Sequence, residues 1–149
     1  MCQASKEWIG VDLDGTLAQY DGYKGPGVIG EPVPKMLARV KDMLAAGKNV
    51  KIFTARVAFN KTGSPIAREA IKRWTKKHFG APLEAVSEKD PDMTELLDDR
   101  ATQVVRNQGV LVQDQLKAAE EALQAIRVNA NSRLRVKRIL DAYWESKDR

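Results

Sequence analysis

An apolar run that leads directly into two carboxylates constrains the fold of this chain more than any other feature. The range Trp8–Val11 is apolar, and the sequence Asp-Leu-Asp-Gly-Thr follows it at positions 12–16. A buried strand that ends in this way places Asp12 and Asp14 at its carboxyl edge, where open α/β sheets build their sites. Because two carboxylates so close together repel each other, we expect a cation or a shared proton beside them.

A second acidic pair, Asp98 and Asp99, follows another apolar stretch, Met93–Leu97. The carboxyl ends of parallel strands meet at one edge of a sheet. Carboxylate oxygens are the ligands that hard divalent cations prefer. The two acidic pairs together therefore predict a divalent metal site assembled from two strand ends.

The rest of the first 113 residues alternates strand and helix patterns, which predicts an α/β fold with a parallel sheet and helices on both faces. A glycine-rich segment, Gln19–Gly30, interrupts this alternation and is called the glycine loop below. A second loop is expected at Ala55–Gly63. We expect strands at Glu7–Leu13, Val50–Thr54, Leu83–Ser87 and Thr94–Asp98, helices at Pro34–Ala46 and from Ser64 onward, and an edge strand or hairpin from Val104-Val105 and Val110–Val112.

The pattern changes at Asp114 to that of a helical hairpin. Two sets of apolar residues recur at helical spacing, and the sequence Asn-Ala-Asn-Ser at 129–132 separates them. We therefore divide the chain into a sheet domain, 1–113, and a C-terminal helical extension, 114–149. The apolar stripe must bury against the sheet domain or against a second copy of the chain in a homodimer. Its members are Leu116, Ala119, Leu123, Ile126, Val136, Ile139, Leu140 and Tyr143.

Composition excludes some classes of protein and leaves others open. No apolar run approaches the ~20 residues that cross a bilayer, so we expect no membrane span. The single cysteine rules out an internal disulfide, and the first seven residues lack a signal-peptide core, so we expect a cytoplasmic protein. The net charge of +5 suits an anionic substrate or nucleic acid, but it is common among proteins that bind neither.

Four pieces of sequence occur in an order that resembles the haloacid dehalogenase-like (HAD) phosphohydrolase superfamily. They are the Asp-Leu-Asp-Gly-Thr segment, Thr54 after the second strand, Lys89, and the Asp98-Asp99 pair. The resemblance covers residues 7 to about 105. It implies a three-layer, Rossmann-like domain with no large cap, because the gap at Glu88–Pro91 is too short for a cap domain.

Two narrower resemblances bear on the substrate. Residues 12–18 and 98–105 resemble the 3′-phosphatase domain of phage polynucleotide kinases, although no P-loop is present. Residues 12–105 also resemble small phage and bacterial HAD proteins, which share the segments Tyr20–Gly22, Ile52–Arg56 and Lys89–Met93. These resemblances imply hydrolysis of a phosphomonoester, with a nucleotide or nucleic-acid 3′-phosphate as the best specific substrate.

The resemblance also implies a role for each acidic residue. Asp12 is the implied nucleophile, which forms an aspartyl-phosphate, and it is also a ligand of Mg²⁺. Asp14 protonates the leaving oxygen, then activates the attacking water, and it ligates Mg²⁺ through its backbone carbonyl. Asp98 is the other metal ligand, and Asp99 lies behind it or acts through water; the sequence does not settle which of the two touches the metal.

The remaining implied site residues bind phosphate or substrate. Thr54 hydrogen-bonds the phosphoryl oxygens, and Lys89 neutralises charge on Asp12 and on the phosphate. Arg56 and Arg100 either bind the substrate phosphate or pair with the carboxylates. Further candidates for substrate contact are the residues that follow the two motifs, Gly15, Thr16 and Ala55, and the glycine-loop residues Tyr20, Tyr23 and Lys24.

Other interpretations of the same residues stay open. Asp-x-Asp-Gly is also a turn sequence, and an isolated lysine such as Lys89 is usually a solvated surface residue. The function can be a 5′(3′)-nucleotidase on free mononucleotides, phosphoryl transfer to an acceptor other than water, or a non-catalytic metal-binding module. The second helix has a basic face that is either solvated surface or a nucleic-acid patch, formed by Arg68, Lys72, Arg73, Lys76 and Lys77.

Overall fold

The computed structural model describes residues 6–58 and 64–147, and the side chains of 6–58 and 64–141. Residues 59–63 of the expected second loop, and the side chain of Tyr143, lie outside the described part. The chain forms two compact units, residues 1–101 and residues 102–149. The first unit contains every residue that the sequence assigns to the site.

The first unit is an α/β structure built on a four-stranded parallel sheet, as the alternating pattern predicts. Strand β1 (Trp8–Asp12) lies between β2 (Val50–Phe53) and β4 (Met93–Leu97), and β3 (Ala85–Val86) pairs with β2. The register places Asp12 opposite Phe53 on one side and Val11 opposite Leu97 on the other. The residues that follow β1, β2 and β4 therefore meet at one edge of the sheet.

The third strand is shorter than the sequence predicts. Only Ala85 and Val86 of the expected range 83–87 form β3. The Leu83 amide donates instead to the Thr75 hydroxyl at 3.1 Å, so it is diverted away from the sheet. The Glu84 carbonyl still accepts from the Ile52 amide at 2.8 Å.

Two helices cover one face of this sheet. Helix α1 (Pro34–Ala45) begins with proline, whose missing N–H costs nothing at that position, and α2 (Ser64–Phe79) follows β2. The connections from β1 to β2 and from β2 to β3 run in the same direction across the sheet. Because such connections are right-handed, the two helices in them lie on the same face. One core cluster accordingly joins alternate residues of β1 and β2 to both helices: Ile9, Val11, Val50, Ile52, Val40, Ala67 and Ile71.

The opposite face of the sheet carries different side chains. Trp8 is buried there, and the Lys51 ammonium lies 4.9 Å from the centre of its ring. Gly10 leaves the space that Trp8, Met93 and Leu96 fill. Within the first unit both described helices thus pack on one face, and the expected three-layer arrangement stays a prediction.

The glycine loop leaves the sheet and returns to it through a hydrogen-bonded neck. Ala18 forms an antiparallel bridge with Pro32, and the Gln19 amide donates to the Glu31 carbonyl at 2.8 Å. A Cβ on Gly30 would overlap the Gln19 carbonyl, so the neck requires glycine there. The loop is therefore anchored at its base next to the carboxyl edge of β1.

The second unit begins with a small hairpin and continues as one helix. Val104 forms an antiparallel bridge with Leu111, which confirms the expected pairing of these two segments. Helix α3 then runs without a break over Val112–Lys147. The expected helical hairpin with an interruption at 129–132 is therefore wrong.

The residues at 129–132 continue the helix because none of them prevents it. Asn and Ser cost a few tenths of a kcal/mol in a helix interior, whereas Gly and Pro cost about 1 and 3. Ser132 also donates its hydroxyl to the Val128 carbonyl at 3.0 Å, which satisfies it inside the helix. The two apolar sets lie on different sides of this single helix. Six of their large members are exposed: Leu116, Leu123, Ile126, Val136, Ile139 and Leu140.

None of the helices in the described parts of the chain combines the length and the hydropathy that a bilayer span needs.

Candidate active site at the carboxyl edge of the sheet

Three carboxylates meet where β1 and β4 end. Asp12 is the last residue of β1, and Asp98 and Asp99 directly follow β4. One oxygen from each lies within 4.8 Å of the others, which is the spacing of ligands around a single cation. Three carboxylate donors with Asp99 exposed suit a hard divalent ion such as Mg²⁺, which binds few carboxylates and keeps several waters.

The electrostatics of this cluster favour a positive ligand. The pKa of the Asp12 carboxyl is raised from 3.8 to about 6, chiefly by burial and also by the charges of Asp98 and Asp99. Hydrogen bonds from the Leu13 amide and the Thr16 hydroxyl act in the opposite direction. No cation of the described chain balances the three acids, so a metal ion or a proton is the group that can do so.

Thr16 and Gly15 fix the position of Asp99. The Asp99 amide donates to the Thr16 hydroxyl at 3.0 Å, and that hydroxyl donates to the Asp99 carboxylate at 3.3 Å. Gly15 adopts φ +93°, and a Cβ there would lie 2.9 Å from the same carboxylate. The motif after β1 therefore needs glycine for its backbone and for the approach of Asp99, in addition to any contact with a substrate.

The backbone after Asp12 turns tightly and leaves donors free. The amides of Gly15, Leu17 and Ala18 hydrogen-bond to carbonyls within the turn, and Leu13 and Leu17 are fully buried. Among the described residues, the amides of Asp14 and Thr16 have no acceptor. These two N–H groups are available to an anion at the edge of the sheet.

Thr54 follows β2 on the other side of β1 and is almost completely buried. Its hydroxyl oxygen accepts from the Arg56 amide at 3.3 Å, which caps the short 3₁₀ turn Ala55–Val57. The hydroxyl proton has no acceptor among the described residues. Thr54 can therefore donate to a phosphoryl oxygen while it holds the turn that carries Arg56.

Asp14 does not join the acidic cluster through its side chain. Both of its carboxylate oxygens accept from Arg56, at 2.6 Å from Nε and 2.8 Å from one terminal nitrogen. The pair is well shielded, with 7% of the Arg56 side chain and 18% of the Asp14 side chain exposed. Hydrogen bonding to Asp14 raises the pKa of the Arg56 guanidinium. The fork-to-fork geometry makes this a strong, orienting ion pair.

Arg56 also holds the glycine loop. Its other terminal nitrogen donates to the carbonyls of Val28 at 2.8 Å and Gly25 at 3.2 Å. Its guanidinium lies 5.6 Å from the centre of the Tyr23 ring. The sequence alone allows Arg56 either to bind the substrate phosphate or to pair with a carboxylate. In the structure it pairs with Asp14. Its contacts with the backbone of the glycine loop could not be predicted from the sequence.

The remaining expected site residues lie on the surface. Lys89 is exposed and makes no hydrogen bond or ion pair with a described residue, so the structure does not bring it to Asp12. Arg100 is also exposed, and its amide donates to Asp98 at 2.7 Å. Lys24 pairs with Asp21 on the glycine loop. Ala55 and Tyr20 are exposed near Arg56.

No protein-family model, curated protein or solved structure matches this chain. The resemblance to the HAD superfamily therefore stays a prediction based on the residues quoted above.

Proposed function

We propose that this chain is a magnesium-dependent phosphomonoester hydrolase of the HAD type that acts through an aspartyl-phosphate on Asp12. The observation that carries the proposal is the cluster of Asp12, Asp98 and Asp99 at the ends of two paired strands. Beside it lie the free amides of Asp14 and Thr16. Amides that can bind an anion lie close to carboxylates that can bind a cation, and this arrangement suits a phosphate group bound together with its metal ion.

In the first step an Asp12 carboxylate oxygen attacks phosphorus, and the bond from phosphorus to the ester oxygen breaks. Asp14 gives a proton to that leaving oxygen. In the second step Asp14 takes a proton from water, the water oxygen attacks phosphorus, and the bond to Asp12 breaks to release phosphate. Bound Mg²⁺ supplies the positive charge that lets an anionic nucleophile approach an anionic ester.

The proposed substrate class is a nucleotide or nucleic-acid 3′-phosphate. Its support is the sequence resemblance of residues 12–18 and 98–105, together with the absence of a cap domain in the described loops of the first unit. Release of phosphate from a 3′-phosphorylated oligonucleotide but not from mononucleotides supports the nucleic-acid end. The reverse result supports a nucleotidase.

The test of the proposal is phosphatase activity on p-nitrophenyl phosphate with and without Mg²⁺. Wild type is compared with Asp12→Asn, which keeps the shape of the side chain but removes the nucleophile. The matched control is Asp42→Asn, the same change at an exposed position of α1. We expect metal-dependent turnover in wild type and the control and none in Asp12→Asn.

Turnover that survives in Asp12→Asn overturns the role of Asp12. A wild type that binds Mg²⁺ but hydrolyses neither the aryl ester nor natural phosphoesters overturns the enzyme proposal. Each result is read against folded protein, because the thermal unfolding midpoint is measured for every variant.

A second candidate function is a non-catalytic metal-binding module. The observation that favours it is the engagement of both Asp14 oxygens by Arg56, together with the absence of a contact between Lys89 and Asp12. In this candidate the acidic cluster binds the ion and Asp14 stays paired with Arg56, without a catalytic role. Magnesium binding without turnover on any phosphoester distinguishes this candidate from the first.

A further inference from the structure

The guanidinium of Arg56 makes more contacts than its pairing with the Asp14 carboxylate requires. The guanidinium divides its donors between the Asp14 carboxylate and two carbonyls of the glycine loop. A single buried cation thus touches both the residue that must move a proton and the loop beside it. It has no other acceptor among the described residues.

We propose that Arg56 is a positioning residue that couples the Asp14 carboxylate to the closed form of the glycine loop. With the loop closed, Arg56 holds Asp14 in one orientation with both oxygens occupied. Each Asp14 oxygen keeps a second lone pair for a proton or a water, so Arg56 orients the carboxylate without blocking it. Arg56 cannot move without loosening its contacts with Gly25 and Val28. Loop opening and loss of the fixed Asp14 orientation are therefore one event.

The geometry of the loop supports coupling through a single residue. The neck at Ala18 and Pro32 fixes the base of the loop, whereas the tip carries several glycines and exposed tyrosines. Within the described residues, the side-chain hydrogen bonds that join Gly25 and Val28 to the site come from Arg56. The C-terminal end of the loop is held separately, because Trp74 donates to the Gly30 carbonyl and Ile29 packs against the core. Thr54 holds the 3₁₀ turn that carries Arg56, so the arginine is anchored to the end of β2 and not to the loop.

The guanidinium is suited to this task in a way that an ammonium is not. A planar fork can bind a carboxylate with two donors and still aim a third at a carbonyl. A lysine at position 56 would keep the positive charge but has one nitrogen, so it cannot form the two-nitrogen pairing with Asp14 while a third nitrogen reaches the loop. Arg56→Lys is therefore the conservative variant that separates charge from coupling.

Cleavage by trypsin after Lys24 measures loop opening without reference to activity. Lys24 is the only lysine or arginine in the glycine loop, and mass spectrometry of the fragment that ends there isolates this cut from cuts elsewhere. We expect Arg56→Ala and Asp14→Ala each to speed this cleavage about tenfold or more, because each removes charge-assisted hydrogen bonds. The decisive variant is Asp14→Ala, since Asp14 itself contacts no carbonyl of the loop.

Arg68 provides a matched control. It also donates from two terminal nitrogens to backbone carbonyls, those of Ala85 and of Val57 in the turn that carries Arg56, but it makes no hydrogen bond to Asp14 or to the glycine loop. We expect Arg68→Ala to leave the rate of cleavage after Lys24 within about twofold of wild type. An equal increase in Arg68→Ala, in which Arg56 and Asp14 are both present, would mean that loosening of the turn, and not the pairing of Arg56 with Asp14, controls the loop.

A double-mutant cycle decides whether the two residues act as a unit. If they do, the variant with both Arg56→Ala and Asp14→Ala is cleaved no faster than the faster single variant. Cleavage rates that multiply in the double variant overturn the coupling. A wild-type rate in Asp14→Ala also overturns it, because Arg56 would then hold the loop by itself.

The kinetic arm rests on the proposed function and separates positioning from structure. On p-nitrophenyl phosphate we expect Arg56→Lys to lower kcat about tenfold or more and to change KM by less than about threefold. An unchanged kcat in both Arg56→Lys and Arg56→Ala overturns the positioning role. If wild type shows no turnover, the proposed function fails, while the trypsin results still decide the coupling.

Discussion

Two carboxylates lie two residues apart at the end of β1 and have opposite surroundings. Asp12 faces Asp98 and Asp99, with no cation of the described chain beside it, and its pKa is raised to about 6. Asp14 faces the guanidinium of Arg56, which occupies both of its oxygens. The same residue type therefore sits in a site that lacks positive charge and in a site that already has it.

The difference indicates that the two aspartates of this motif have different roles. The Asp12 side needs an added cation, because three acids so close together are costly without one. The Asp14 side is complete within the chain, so its carboxylate is oriented before any ligand arrives. We interpret the first as the place of the metal and the nucleophile and the second as the place of the proton carrier.

The largest expected difference is in the covalent step. Asp12→Asn should lower kcat at least about 10⁴-fold, because no nucleophile remains. Asp14→Asn should lower it about 10²- to 10⁴-fold, the usual contribution of a general acid and base. p-Nitrophenolate leaves with little protonation, so Asp14→Asn should accumulate phosphoenzyme that a radiolabelled phosphoryl group reveals. Label on Asp12→Asn, or none on Asp14→Asn, contradicts the assignment.

The next difference lies within the acidic cluster. Asp98→Asn should weaken Mg²⁺ binding about 10- to 100-fold, because it removes a charged ligand from the half-buried side. Asp99→Asn should weaken it less, since Asp99 is exposed and shares an oxygen with Thr16. Calorimetric titration of Mg²⁺ into each variant measures both constants, with Asp42→Asn as the control. Equal losses would place both residues directly on the metal.

The sequence predicts the acidic cluster well because parallel strands bring their carboxyl ends together whatever their exact lengths. Asp12 and Asp98 meet even though β4 begins and ends one residue earlier than its apolar pattern predicts. Thr54 follows β2 for the same reason. A site at a strand end depends on topology, and the topology follows from the alternation of strand and helix.

The contacts of Arg56 and the form of α3 are less predictable. Arg56 finds its partners through a loop whose path is fixed by glycines and carbonyls, and carbonyls leave no trace in a sequence. In α3 the apolar residues change sides near Asn129–Ser132, a pattern that a hairpin and a continuous helix both produce. Helix propensity decides between them there, and no Gly or Pro opposes continuity.

A third prediction concerns stability in the absence of metal. The pKa of Asp12 is about 6 in the folded chain and is taken as 3.8 in the unfolded chain. Ionised Asp12 therefore destabilises the fold, and the loss of stability grows as the pH rises from about 4 to about 6. Asp12→Asn should raise the free energy of unfolding at pH 7 by on the order of 1–3 kcal/mol, at about 1.4 kcal/mol per pKa unit.

The pH dependence provides the control for that prediction. Well below pH 3.8 both states of wild type hold the proton, so the advantage of Asp12→Asn should be small at pH 4 and vanish at lower pH. Added Mg²⁺ should stabilise wild type and leave the variant nearly unchanged. Denaturant unfolding of both proteins at pH 4 and pH 7, with and without Mg²⁺, measures these differences. An advantage that is the same at both pH values would mean that the charge of Asp12 is not its cause.

The smallest expected effect concerns Thr16, whose side chain supports the acidic cluster and not Asp14. Thr16 is buried and exchanges two hydrogen bonds with Asp99, so Thr16→Val should lower the free energy of unfolding by about 1–2 kcal/mol. Thr16→Ser keeps the hydroxyl and should restore most of the Mg²⁺ affinity that Thr16→Val loses. Neither change should alter trypsin cleavage after Lys24, because Thr16 makes no hydrogen bond to Arg56 or to the glycine loop. Faster cleavage in Thr16→Val would show that the two sides of the motif are not independent, and the division between Asp12 and Asp14 would then have to be replaced by a single, coupled site.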